Sequence, residues 1–85
     1  MIPQEGRFIL KFSAKWCSPC KTLTNILNNS TLTLPVIDID IDENPEQAQQ
    51  YNVRGVPTMI LIDNNTEVVR KVGVTSQQVI YDTFK

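Results

Sequence analysis

Residues 16–20 read WCSPC, and Cys17 and Cys20 are the only two cysteines of the chain. Sulfur at this spacing can close a structural disulfide, supply half of a metal site, or cycle between dithiol and disulfide. A disulfide across so short a loop removes little chain entropy and staples poorly. A structural zinc takes about four nitrogen or sulfur ligands, and the chain has no histidine and no third cysteine. Two unrelated core cysteines do not need Trp16 before them and Pro19 between them. The residue types therefore favour a redox pair.

The elements around the pair decide where its sulfurs sit. Residues 7–13, RFILKFS, form a dense apolar run suited to a strand buried on both faces. A helix is expected from Ser18 to Asn28, with Cys20, Leu23, Ile26 and Leu27 on one face and Asn28-Asn29-Ser30 as its stop. Residues 34–42, LPVIDIDID, alternate Ile37, Ile39 and Ile41 with Asp38, Asp40 and Asp42, the pattern of a strand with one polar face. Asn44-Pro45 offers a cap and a first-turn proline for a short helix to about Tyr51, with Gln47 placed for a reciprocal capping bond. A third strand at 58–62 turns through Asn64-Asn65 into a fourth at 67–72. Thr75 or Ser76 then caps a last helix whose apolar face is Val79, Ile80 and Phe84. The order is βαβ, then α, then ββα, in a single domain over residues 1–85.

This order puts Cys17 at the mouth of a helix, beyond the carboxyl end of the first strand, the edge where α/β sheets bind ligands. Unpaired helix N–H groups and the positive end of the helix dipole favour a thiolate there. Cys20, one turn on, shares the face of Leu23 and is shielded. The expected pair is asymmetric, with Cys17 exposed and Cys20 buried. Pro19 fits a first-turn position, where its missing N–H costs nothing.

Composition excludes several other classes. A net charge of -1 and 7% aromatic residues leave no basic footprint for nucleic acid. No stretch approaches the roughly 20 apolar residues that span a bilayer, and MIPQEGRFIL lacks the features of a signal peptide, so a cytoplasmic location is expected. The stripe Asp38, Asp40 and Asp42 mimics the start of a calcium loop, but Glu43 stands where glycine is needed and Gln49 where glutamate is needed. No metal is expected.

The segment FSAKWCSPCK resembles the active-site segment of thioredoxins, and the likeness continues through NPEQAQQYNVRGVPTMILI to KVG at 71–73. The resemblance implies a thioredoxin fold, an α/β architecture with a four-stranded mixed sheet flanked by three helices. The extra N-terminal strand and helix of full-length thioredoxins have no counterpart here, which suggests a minimal form of glutaredoxin size. The resemblance implies that Cys17 attacks a target disulfide and that Cys20 resolves the mixed disulfide, with no cofactor beyond the Cys17–Cys20 pair itself. Pro57 matches the family's cis-proline, which packs against the disulfide. Val56 is then placed to pair its backbone with an extended substrate. Gly73 and Val74 match the family's third loop around the site, and Trp16, Ser18 and Pro19 complete its rim.

Two positions depart from the family. Ser18 replaces the glycine commonest between tryptophan and proline, which is expected to shift the reduction potential. Lys11 stands where the family usually buries an aspartate, and Asp38 matches the family's partner lysine on the adjacent strand. A lone lysine in a strand buried on both faces is costly unless paired, so a Lys11–Asp38 ion pair beneath Cys20 is expected, with either group as relay for the Cys20 proton. The reading is a monomeric protein-disulfide reductase. By resemblance its targets are disulfide-containing proteins, ribonucleotide reductase among the candidates, recharged by a thioredoxin reductase or by glutathione. A glutathione-dependent glutaredoxin lacks support, since no tyrosine stands between the cysteines and no Gly-Gly follows the third strand. A non-catalytic binding module using the same groove is a second alternative beside it, and a disulfide donor or isomerase a third that would need an oxidising compartment.

Overall fold

The computed structural model describes residues 2–84. In chain order the elements are β1 (Arg7–Ser13), α1 (Ser18–Asn28), β2 (Val36–Asp40), α2 (Pro45–Gln50), β3 (Thr58–Asp63), β4 (Thr66–Val72) and α3 (Gln77–Phe84). The strands form one sheet in the order β2-β1-β3-β4, with β1 parallel to β2 and both other pairings antiparallel. This is the expected four-stranded mixed sheet.

Alternation along β1 divides the core into two layers. Phe8, Leu10 and Phe12 pack with Ile39, Ile60, Ile62 and Ala48 of α2 on one face. Ile9 packs on the other with Leu23 of α1, Met59, Leu61, and Ile80 and Phe84 of α3. Burying each such side chain contributes about 1.5–3 kcal/mol, so the sheet holds α2 on one side and α1 with α3 on the other. Lys11, two residues from Ile9, shares the α1 face. Edge strand β4 is exposed along much of its length, and Arg70 ties it to α2 by donating to the Tyr51 carbonyl at 2.7 Å.

The helix ends show how the local sequence sets the boundaries. In α2 the chain leaves the helix through Asn52 at φ 55, the left-handed conformation asparagine tolerates. Val53 N–H then donates to Ala48 O at 2.8 Å and Asn52 N–H to Gln49 O at 3.0 Å, the double bond pattern of a Schellman stop. Asn64 and Asn65, at φ 47 and 68, make the tight β3–β4 turn.

Three expectations need correction. The second strand ends at Asp40, not at residue 42, because the Asp40 carboxylate turns the chain by accepting the N–H groups of Asp42 and Glu43 at 2.8 and 3.2 Å. Asn44 makes no side-chain capping bond to α2; its amide N–H donates back to Asp40 O at 3.2 Å, closing the turn after β2. Val79 lies on the solvent side of α3 rather than on its buried face, which is formed by Ile80 and Phe84. Of the two proposed caps, Ser76 Oγ accepts the Val79 N–H at 3.3 Å.

Candidate active site

Cys17 is the N-cap residue of α1, and Pro19 occupies its first turn. The backbone of Cys17 is extended, and its Sγ accepts the Cys20 N–H at 3.1 Å. A sulfur thus takes the place a capping oxygen usually fills. Cys17 and Cys20 are joined as a disulfide. Both lie against Ala14, with Val56 and Ile41 packed around them.

The expected asymmetry of exposure is not present in this oxidised state: Cys17 and Cys20 are each 3% exposed. The reason lies in the cover. Cys17 sets its sulfur on the helix terminus, and Val56 from the loop before β3 packs with Ile41 against the cluster of Ala14 and the two cysteines.

That loop is fixed from both sides. The Val56–Pro57 peptide is cis, and Pro57 is buried. Thr58 Oγ1 donates to Gly55 O at 2.7 Å, and Gly73 N–H donates to Pro57 O at 2.8 Å. Gly73 adopts φ +89, a conformation that glycine enters without steric cost. The structure therefore links Val56, Pro57 and Gly73 to the disulfide end of the sheet, while Val74 is 41% exposed. Ser18 and Pro19 lie on the surface. Trp16 is 68% exposed, and its indole N–H donates to Asp42 Oδ2 at 2.8 Å. The rim residue is held by a polar bond rather than by apolar packing.

Across β1 and β2, Lys11 and Asp38 face one another in register and form an ion pair at 2.9 Å. The lysine side chain is 6% exposed and the aspartate 67%. Lys11 Nζ also donates to Thr24 Oγ1 at 2.6 Å, and Thr24 Oγ1 donates to Cys20 O at 3.1 Å. Sequence reasoning missed Thr24 altogether, and it read Asp42 as part of a polar strand face rather than as the partner of Trp16. The only signal for Thr24 is its position one turn after Cys20, where its hydroxyl can reach the preceding carbonyl.

The sequence profile of the Thioredoxin family matches residues 1–85. The chain belongs to the thioredoxin family. It is 42% identical over 73 residues to a thioredoxin of Chlamydia trachomatis, covering 82% of this chain and 72% of that one. A thioredoxin of Chlamydia pneumoniae is 40% identical over 77 residues, covering 87% and 76%. Among solved structures, a mutant thioredoxin from Halobacterium salinarum superposes with a TM-score of 0.83 at 32% identity, over 92% of this chain and 71% of that one. With its Cys17–Cys20 disulfide in a CxxC arrangement, this thioredoxin-family protein is a thiol–disulfide oxidoreductase. It reduces protein disulfides, and its targets are proteins that carry them.

Proposed function

We propose that Cys17 is the attacking sulfur and Cys20 the resolving one. The observation that carries this assignment is the cap geometry, in which the Cys20 N–H points at Cys17 Sγ at 3.1 Å from the positive end of α1. That end favours negative charge, so a Cys17 thiolate is stabilised in the reduced protein. The Cys17 thiolate attacks a target disulfide, one target sulfur leaves as thiolate, and a mixed disulfide forms. Cys20 loses its proton and attacks Cys17 Sγ; the Cys17–target bond breaks and the second target sulfur leaves with the electron pair. The target gains two electrons and the Cys17–Cys20 pair loses them, with no other cofactor.

Trp16, Ser18, Pro19, Val56, Pro57, Gly73 and Val74 form the surface that receives the target, with the Val56 backbone pairing to its extended segment. Lys11 and Asp38 assist the proton loss of Cys20. Asp38→Asn is expected to slow disulfide exchange more at neutral than at high pH, and an unchanged pH–rate profile contradicts that role. The protein acts as a cytoplasmic monomer, with ribonucleotide reductase among its targets and a thioredoxin reductase or glutathione as donor.

The test is the reduction potential of the Cys17–Cys20 pair, equilibrated against defined thiol buffers. A value at or below roughly −220 to −260 mV, the glutathione poise of the cytosol by extraction, marks a reductant. A much less negative value points to oxidation or isomerisation and removes the cytoplasmic assignment.

A further inference from the structure

Thr24 connects the buried charge to the redox pair. A threonine hydroxyl carries one proton, and the Cys20 carbonyl can only accept, so that proton points at Cys20 O. The lone pairs of Oγ1 are left to face Lys11, which donates at 2.6 Å. Lys11 also donates to Asp38 Oδ1. The hydrogens are thereby ordered outward from Lys11, to Asp38 on one side and through Thr24 to Cys20 on the other. A hydroxyl bonded to the carbonyl one turn earlier is ordinary in a helix. A buried ammonium taking its lone pair is not. Thr24 also lines both adjoining clefts, one reaching Cys20 and the other reaching Lys11 and Asp38.

We propose that Thr24 is a positioning residue that pins the Lys11 ammonium against α1, two hydrogen bonds from the Cys20 backbone, so that its charge favours the Cys20 thiolate. The inference rests on Cys20 being the resolving sulfur. The lysine stem is long and flexible, and without the Thr24 hydroxyl its amine is free to move towards Asp38 at the exposed sheet edge. The charge then lies further from Cys20 and is better screened by water. Thr24 transfers no proton. In the resolving step the Cys20 proton leaves by way of the solvated Asp38 carboxylate to water, the Cys20 thiolate forms the new S–S bond, and the Cys17–target bond breaks with the target sulfur taking the electron pair.

The other charged groups near Cys20 are more solvated. Asp40, Lys15 and Lys21 line the Cys20 cleft, Lys15 pairs with Glu43 at 3.3 Å, and Asp38 faces water at the edge of β2. The Asp40 and Glu43 carboxylates oppose the thiolate and the two surface lysines support it, all weakened by screening, while Asp38 serves as acceptor for the departing proton. Lys11 is the buried charge among them.

The test uses the reduced full-length protein carrying Cys17→Ser, in which Cys20 is the only thiol. Its ionisation is followed by the ultraviolet absorbance of the thiolate as pH is raised. On this background Thr24→Val removes the hydroxyl at nearly constant shape, Thr24→Ser keeps it, and Lys11→Met removes the charge. Circular dichroism confirms that each variant is folded. The expected result is a shift of Cys20 ionisation to higher pH in Thr24→Val and Lys11→Met, with on the order of three- to tenfold less thiolate at neutral pH, the size of one ordinary hydrogen bond's net contribution. Thr24→Ser stays with the parent, and Thr24→Val adds nothing once Lys11 is Met, because the two act through one group. A shift in Lys11→Met alone overturns the role of Thr24 and leaves the resolving role of Cys20 standing. An equal Thr24→Val shift with and without Lys11 overturns it too, since the effect then bypasses the lysine. No shift in any variant removes both Thr24 and Lys11 from the chemistry of Cys20.

Discussion

Asp38→Asn is predicted to lower stability and Lys11→Met to leave it unchanged or raise it, because the two ends of their ion pair sit in different surroundings. At 2.9 Å, two unit charges attract by about 1.4 kcal/mol with full water screening and by about 6 kcal/mol at an effective dielectric of 20. The Asp38 side chain is 67% exposed, so the net value lies near the lower figure, as for other solvated pairs. Asp38→Asn keeps an oxygen for Lys11 Nζ and removes only the charge. The expected cost is about 1–2 kcal/mol, a fall in Tm of about 5–10 °C for a domain of this size. Lys11→Met keeps an unbranched apolar stem and removes an ammonium whose burial costs several kcal/mol before pairing. Its stability is expected to be unchanged or higher by about 1 kcal/mol. The double variant should match Lys11→Met, since Asp38 then has no partner left to lose. Urea denaturation of the oxidised proteins at neutral pH reads all three differences, provided the slopes agree. If Lys11→Met loses more than about 2 kcal/mol while Asp38→Asn is neutral, the ion pair is not what makes this lysine tolerable in the strand, and the reasoning fails.

Two further substitutions probe the frame around the site. Gly73→Ala places a side chain at φ +89 with nothing within 4 Å of its Cβ, so only backbone strain acts, and the expected loss is about 1–2 kcal/mol. A urea midpoint equal to that of the parent shows instead that the loop relaxes to negative φ at no cost. Hydrogen bonds from Arg70 hold the Glu67 carboxyl below the usual carboxylate range. A folded-state value below the unfolded one contributes stability above the unfolded value and loses it as pH falls through the folded one. Glu67→Gln should therefore lower the urea midpoint at neutral pH and leave it unchanged in acid. An equal gap at both pH values refutes the sign.

What the sequence disclosed was local or tied to a strong penalty. The bounds of α1, Ser18–Asn28, follow from Pro19 in the first turn and the Asn28-Asn29-Ser30 stop, all within one short stretch. The need of Lys11 for a partner was legible because an ammonium inside an apolar strand is costly alone, and the family resemblance singled out Asp38 from the acidic stripe as that partner. What stayed hidden depends on side chains meeting across distant elements. The cluster that buries Cys17 is packed by Val56, from a loop almost forty residues away, and no pattern within the WCSPC stretch announces that burial. Asp38, Asp40 and Asp42 read as one polar face, yet they do three separate things: pair with Lys11, turn the chain after β2, and anchor Trp16. Thr24 looked like any helix-surface threonine, because its value lies in a lysine from another strand.

Which sulfur attacks is the central claim, and a trapping experiment tests it most directly. Reduced Cys20→Ser and Cys17→Ser proteins are each mixed with a disulfide-bonded protein and analysed by intact mass. A stable covalent adduct through Cys17 is expected in the Cys20→Ser protein and none in the Cys17→Ser protein. An adduct through Cys20, with Cys17 unreactive, would contradict it.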